Sequence, residues 1–331
     1  MKNIKTLFSG DVRRVLCFVM IMLACIKSHG YSLQNHEQIT RDAVKLINLC
    51  VQEKHIETLS PSAQLDVLIE YNLQQDQLLR KARLWHFPDN KQFPLEKSAT
   101  SWIGNSLVIS TSFNVWSDYL ASQARSSTEH QAVYPAMGAL LHYVQDVAVP
   151  AHAVPIFHPV RYFPPKADGF DSWDRFNSYP WLEDGSALKT ICTQLSSNDK
   201  SVADIISHTL ESTRNNILKG RNLADGQGNM WLKLYPVNGP KQYGFAQYGC
   251  GSEGEFGMQK IMCDNQVFHV AKQTYINFAS GQRNLAVQAS AQLIYDLQRS
   301  LAPCDGETCV AELGDDRWLP NAKMLKKLVK K

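Results

Sequence analysis

Apolar residues recur at three- and four-residue intervals through most of this chain, the spacing that lays them along one face of an α-helix. Between Glu37 and Cys50 that face carries Ile39, Ala43, Leu46, Ile47 and Cys50. The same period predicts helices over Gln64–Trp85, Ala99–Ser122, Gln131–Val147 and Lys200–Lys219. A further stretch, Asn265–Leu301, is long enough for one long helix or two. Runs alternating apolar with polar residues are scarce, so the predicted fold class is all-α. Two segments read as loops. Ala153–Gly169 holds Pro155, Pro159, Pro164 and Pro165, and Tyr235–Glu255 holds Gly239, Gly244, Gly249, Gly251 and Gly254. Neither has the composition of a domain linker and no repeat is present, so a single-domain helical bundle is expected.

The first thirty residues interrupt this pattern. Lys2, Lys5, Arg13 and Arg14 precede an apolar run from Val15 to Ile26, too short for a bilayer-spanning helix of about 20 residues. Ser28-His29-Gly30 then offers small residues where a signal peptidase would cut. Residues 1–30 are therefore read as a signal peptide and 31–331 as the mature domain, secreted or periplasmic. A retained anchor, or lipoprotein processing at Cys25, are the competing readings.

Removing that leader changes the charge. It holds five of the 34 Lys+Arg and one of the 31 Asp+Glu, so 29 basic and 30 acidic residues remain, net −1. No global basicity is left to argue for nucleic-acid binding. The basic tail from Lys323 to Lys331 could touch an anionic membrane, but so short a segment reads better as a solvated terminus. Six cysteines stay in the mature chain, and an even number in an exported protein favours disulfides over metal ligation. Short loops suggest Cys304–Cys309 and Cys250–Cys263, which would leave Cys50 with Cys192.

Candidate chemistry concentrates in LHYVQDVAVPAH, residues 141–152. His142 and Asp146 are four apart in a helical context, so imidazole and carboxylate share one face and can reach one metal ion. Pro150 ends that helix and His152 follows at the turn. His55, His130, His208 and His269 have no partner at such a spacing. A Ser-His-Asp hydrolase is set aside because no GxSxG elbow is present.

The segment resembles the HxxxDxxxxxH motif of the superfamily of zinc-dependent phospholipases C and single-strand-specific nucleases, whose members are all-α and bind three zinc ions. Other landmarks stand in the expected order: His36 in NHEQITRDAV, then Asp76 in QQDQLLRKARLWHF and His86 in WHFPD. The resemblance implies a bundle built around a trinuclear zinc site. Asp76, His86, His142 and Asp146 would hold one Zn2+. Asp146 would bridge to a second, completed by His36 and by the amine and carbonyl of Tyr31 as the mature N-terminus. A hydroxide between those two ions would be the nucleophile, which makes Asp76 and Asp146 the catalytic candidates. His152 would hold the third ion.

The chain departs from the family pattern at that third ion. The matching stretch is Gly169-Phe-Asp-Ser-Trp-Asp174, where Asp174 fits the carboxylate but Phe170 stands in place of histidine. Asp171 and His158 are the candidate replacements. Within this chemistry the favoured expectation is a phospholipase C that hydrolyses the glycerol–phosphate bond of phospholipids such as phosphatidylcholine. It would contact the membrane surface transiently and have no stable nucleic-acid partner. A single-strand-specific zinc nuclease, or a zinc-stabilised binding protein without activity, are the alternatives.

Overall fold

The computed structural model describes residues 31–56, 64–76, 117, 120–122, 124, 130–154, 156, 169–197, 200–220, 230–237, 241–242, 245–246, 248–250, 256–263, 265–299 and 301. Residues 1–30, expected to be a signal peptide, and His86, His158, Cys304, Cys309 and the basic tail lie outside the described residues.

The described chain is mostly helical. α1 spans Leu33–Gln52, α2 Leu65–Gln74 and α3 His130–Asp146, followed by the single turn α4, Pro150–Ala153. After α5 (Pro180–Glu183) come α6 (Gly185–Ser197), α7 (Val202–Leu218), α8 (Met230–Leu234) and the long α9 (Lys272–Arg299). The predicted apolar face of α1 is the buried one: Ile39, Ala43, Leu46, Ile47 and Cys50 are all inaccessible to solvent. α1 starts where the Ser32 hydroxyl accepts from the Asn35 amide at 3.3 Å. α7 begins with a capping box between Ser201 and Asp204. Among the described residues no helix is long and apolar enough to cross a membrane.

α1, α2, α3 and α9 pack on one another to form the core that carries the candidate site. α2 and α3 pass close to one another at Gly138. A Cβ there would lie 2.7 Å from the Leu68 carbonyl oxygen and 2.9 Å from Tyr71 Cβ. On the opposite side α9 is tied to α1 by a polar clamp. Arg283 donates from Nε to the Tyr179 hydroxyl (2.7 Å) and from its NH2 group to Asp42 Oδ2 (3.1 Å), and Tyr179 donates to that same oxygen (2.6 Å).

One expectation needs correction. The periodicity predicts helix from Asn265 onward, whereas β3 (Lys260–Cys263) and β4 (Gln266–His269) form an antiparallel hairpin and α9 starts only at Lys272. Asn265 adopts φ 63° in the turn, a conformation asparagine tolerates better than most residues. In β3 burial alternates, with Ile261 and Cys263 inward and Lys260 and Met262 outward, the period of a strand. A smaller ladder pairs β1 (Lys241–Gln242) with β2 (Phe245–Ala246), inside the segment read as loop. Cys250 joins Cys263, the short-loop pair expected from the sequence, and Cys50 near the end of α1 joins Cys192 on α6, the pair expected by elimination. Two disulfides point to an oxidising compartment.

Candidate metal centre

Three elements deliver the site. The first turn of α1 supplies His36, the last turn of α3 supplies His142 and Asp146, and α4 supplies His152. All four side chains are wholly buried. The chain leaves α3 through a turn in which the Val149 amide donates to the Asp146 carbonyl at 2.8 Å, and Pro150 opens α4 at a position that needs no amide proton. α7 fixes this turn from outside. The Thr213 hydroxyl shares its hydrogen between the Thr209 carbonyl (2.9 Å) and the Val147 carbonyl (3.0 Å), and Arg214 Nε donates to the Ala153 carbonyl (2.8 Å).

The Asp146 carboxylate lies between two imidazoles. Its Oδ1 faces His36 Nε2 at 3.4 Å and its Oδ2 faces His142 Nε2 at 3.3 Å. The two rings stack with centroids 4.3 Å apart and an interplanar angle of 22°. One ligand atom from each of the three side chains lies within 4.8 Å of the others. Charge-assisted N–H···O⁻ hydrogen bonds run at about 2.7–2.9 Å. Two atoms that share a tetrahedral zinc at bond lengths of about 2.0–2.1 Å stand about 3.3 Å apart. The observed separations fit the second arrangement better, and the donor types suit a borderline-soft divalent ion. This buried group can hold a metal ion.

Its electrostatics agree. Burial alone would raise the Asp146 carboxyl, but the positive charge that His142 and His152 can carry beside it holds it well below the usual carboxylate range. Burial disfavours a proton on His36, yet Asp146 overcomes that and raises it. On His142 burial prevails, helped by the charge on His36, and the ring is lowered. Asp76, buried just beyond the end of α2, pulls both rings toward protonation and so lies within electrostatic reach of each.

A polar layer backs the rings. His36 Nδ1 lies 2.7 Å from Gln145 Oε1, and His142 Nδ1 lies 3.2 Å from Asn72 Oδ1. Thr40, Asn72, Gln145 and Ser290 were not singled out from the sequence. Thr40 had a signal of its own, since it stands four residues after His36 and shares its helix face; Gln145 adjoins Asp146. Asn72 and Ser290 reach the site only through packing of α2 and α9.

The other expected residues fall in several places. His152 Nδ1 sits 3.8 Å from Asp146 Oδ2, the oxygen that also faces His142. Tyr31 is buried with its ring edge-on to His36, centroids 5.9 Å apart. Asp174, expected to hold the third ion, has a side chain 86% exposed and pairs with Arg175 at 3.8 Å. Asp171 is the inward carboxylate of that stretch, only 2% exposed and near enough to Tyr31 to act on its hydroxyl. Phe170 is a packing residue. Its ring lies 5.7 Å from Tyr31, 5.0 Å from Phe256 and 6.2 Å from Phe278, within an aromatic cluster that also includes Trp173, Trp231 and Tyr275. A histidine there would bring a polar ring into an apolar nest.

Comparison with known proteins finds no matching family model, no matching curated protein and no matching solved structure.

Proposed function

We propose that this chain is a zinc-dependent phosphodiester hydrolase of the phospholipase C type, cleaving the glycerol–phosphate bond of phospholipids such as phosphatidylcholine. The observation that carries the reading is the convergence of His36 on α1 with His142 and Asp146 on α3 into one buried group with ligand atoms within 4.8 Å. Those three residues would hold a zinc ion, with His152 and Asp76 beside them. Bound zinc would lower the pKa of a water it carries and polarise a phosphoryl oxygen. The chain supplies the rest. Asp146 presents an oxygen to each side, the two imidazoles present Nε2, and the surrounding core keeps bulk water from competing.

Two further features support a lipid over a nucleic-acid strand. Charge is balanced once the leader is set aside, with no surplus of cations to track a phosphate backbone. Met262 and Val267 also pair across β3 and β4 on the outward face, 59% and 46% exposed, as an apolar contact for a membrane surface.

Metal content by mass spectrometry, beside turnover of phosphatidylcholine and of single-stranded DNA, tests the proposal. Bound zinc with phosphocholine release is the expected outcome, and Asp146→Asn should abolish both. Zinc with cleavage of DNA alone would move the assignment to the nuclease branch. Zinc with neither substrate cleaved would leave a binding protein, and a chain that takes up no metal would overturn the reading.

A further inference from the structure

The network behind the two imidazoles decides where their protons sit. Thr40 donates its only hydroxyl hydrogen to the His36 carbonyl at 2.9 Å, and a carbonyl can do nothing but accept. Thr40 Oγ1 can then only accept from its other two neighbours, at 2.9 Å from the Asn72 amide and 3.1 Å from the Gln145 amide. Each amide must therefore turn its nitrogen toward Thr40. Asn72 Nδ2 also donates to Gln145 Oε1 (3.0 Å), and Gln145 Nε2 also donates to Ser290 Oγ (3.3 Å). Flipping either amide alone would set oxygen against oxygen between Asn72 and Gln145, or nitrogen against nitrogen. Flipping both would leave Thr40 with one hydrogen for three acceptors.

With the amides fixed, their oxygens face the rings: Gln145 Oε1 toward His36 Nδ1 and Asn72 Oδ1 toward His142 Nδ1. Both imidazoles must donate there, so each neutral ring carries its hydrogen on Nδ1. Nε2 is left as a lone pair on both rings, and both Nε2 atoms face Asp146. A single hydroxyl, touching neither ring nitrogen, selects the ligating tautomer of two histidines on different helices.

We propose that Thr40 is the positioning residue of this centre, acting through Asn72 and Gln145 to hold His36 and His142 as Nδ1–H tautomers ready to bind a divalent cation through Nε2. The inference rests on the metal-site reading for its purpose, but the tautomers belong to the chain itself and can be read without metal.

The test uses the full chain labelled with 15N-histidine and freed of metal by a chelator. Ring nitrogen shifts and their two-bond couplings are recorded at a pH where both rings are neutral, as the shifts themselves report. The expected result is Nδ1–H on both His36 and His142. An Nε2–H tautomer on either ring overturns the proposal without any variant. Thr40→Val removes the hydroxyl at nearly constant volume, and Thr40→Ser restores it. Zinc affinity, measured by competition with a chromogenic chelator, should fall about 10–100-fold in the Val variant, the usual effect of losing an outer partner of a ligand. It should recover in the Ser variant. Thermal unfolding of the metal-free forms separates a purely structural role, which would lower the melting temperature but leave the tautomers unchanged, and that outcome also counts against the proposal. If wild-type chain shows the two Nδ1–H tautomers but binds no zinc, the metal reading fails while the tautomer selection stands.

Discussion

Gly138 lies so close to Leu68 that a methyl group at residue 138 would come within 2.7 Å of the Leu68 carbonyl oxygen. This crossing sets how deeply α2 sits against α3, and thereby whether Asn72 reaches His142.

Gly138→Ala should expose that dependence. Alanine in a helix gains about 0.5–1 kcal/mol over glycine. Forcing two backbones apart typically costs about 1–3 kcal/mol, so overpacking should win. The expected result is a lower melting temperature together with weaker zinc binding, because the Asn72–His142 hydrogen bond stretches. A variant as stable as wild type with unchanged metal affinity would show that the helices can slide without disturbing the site.

The pH dependence of the metal-free chain follows from three opposed shifts. His36 is raised, so the folded state keeps a proton that the unfolded chain releases above about 6.5. That stabilisation is complete below 6.5 and is lost as pH rises through the folded value. His142 is lowered, so the unfolded chain takes a proton below about 6.5 that the folded state refuses, and stability drops with added acid. Asp146 is depressed and contributes stability above about 3.9, lost as pH falls through its folded value. Metal-free protein should therefore melt highest near pH 6.5. Zinc displaces these protons, so the increment it adds should grow as pH rises from 6 to 8. Melting curves from pH 4 to 9, with and without zinc, check both trends; a metal-free melting temperature that keeps climbing above pH 6.5 would contradict them.

The two disulfides should not be equivalent. Cys50–Cys192 closes a sequence separation of 142 residues and Cys250–Cys263 one of 13. Chain-entropy reasoning gives about 4–5 kcal/mol for the longer loop and about 3 kcal/mol for the shorter. Replacing Cys50 and Cys192 with alanine should thus lower stability to chemical denaturation more than replacing Cys250 and Cys263. Equal losses would mean that the denatured chain keeps α1 and α6 together without the bond.

Met262→Glu combined with Val267→Glu should separate surface contact from chemistry. These side chains face outward on the hairpin, and neither belongs to the candidate metal centre. Turnover of phosphatidylcholine in vesicles should fall at least several-fold, while a short-chain monomeric substrate should be hydrolysed at the wild-type rate. Equal losses on both substrates would count against a membrane role for the hairpin.

The parts of this site that were legible in the sequence are those written in helical period. His142 and Asp146 stand four apart, Pro150 ends their helix, and every residue of the apolar stripe of α1 is buried, with Asn35, His36, Thr40 and Val44 widening that face. What escaped depended on contacts between elements. Nothing in the spacing of Asn72 or Ser290 announces that α2 and α9 bring them to Gln145. The choice between Asp171 and Asp174 turned on an irregular segment, where no period says which carboxylate points inward. The hairpin at Lys260–His269 was hidden because its strands are only four residues each. A helical pattern from the neighbouring α9 could be extended back through one of them without conflict.

Ser290 on α9 supports Gln145, which in turn supports His36. Synthesis runs from the amino terminus, so His36 is made early and must wait for a helix near the far end before its surroundings are complete. The surroundings of His36 are therefore complete only once α9 is in place. A chain cut short before α9 would carry every residue of the buried His36–His142–Asp146 group and still lack one of the supports that aims them.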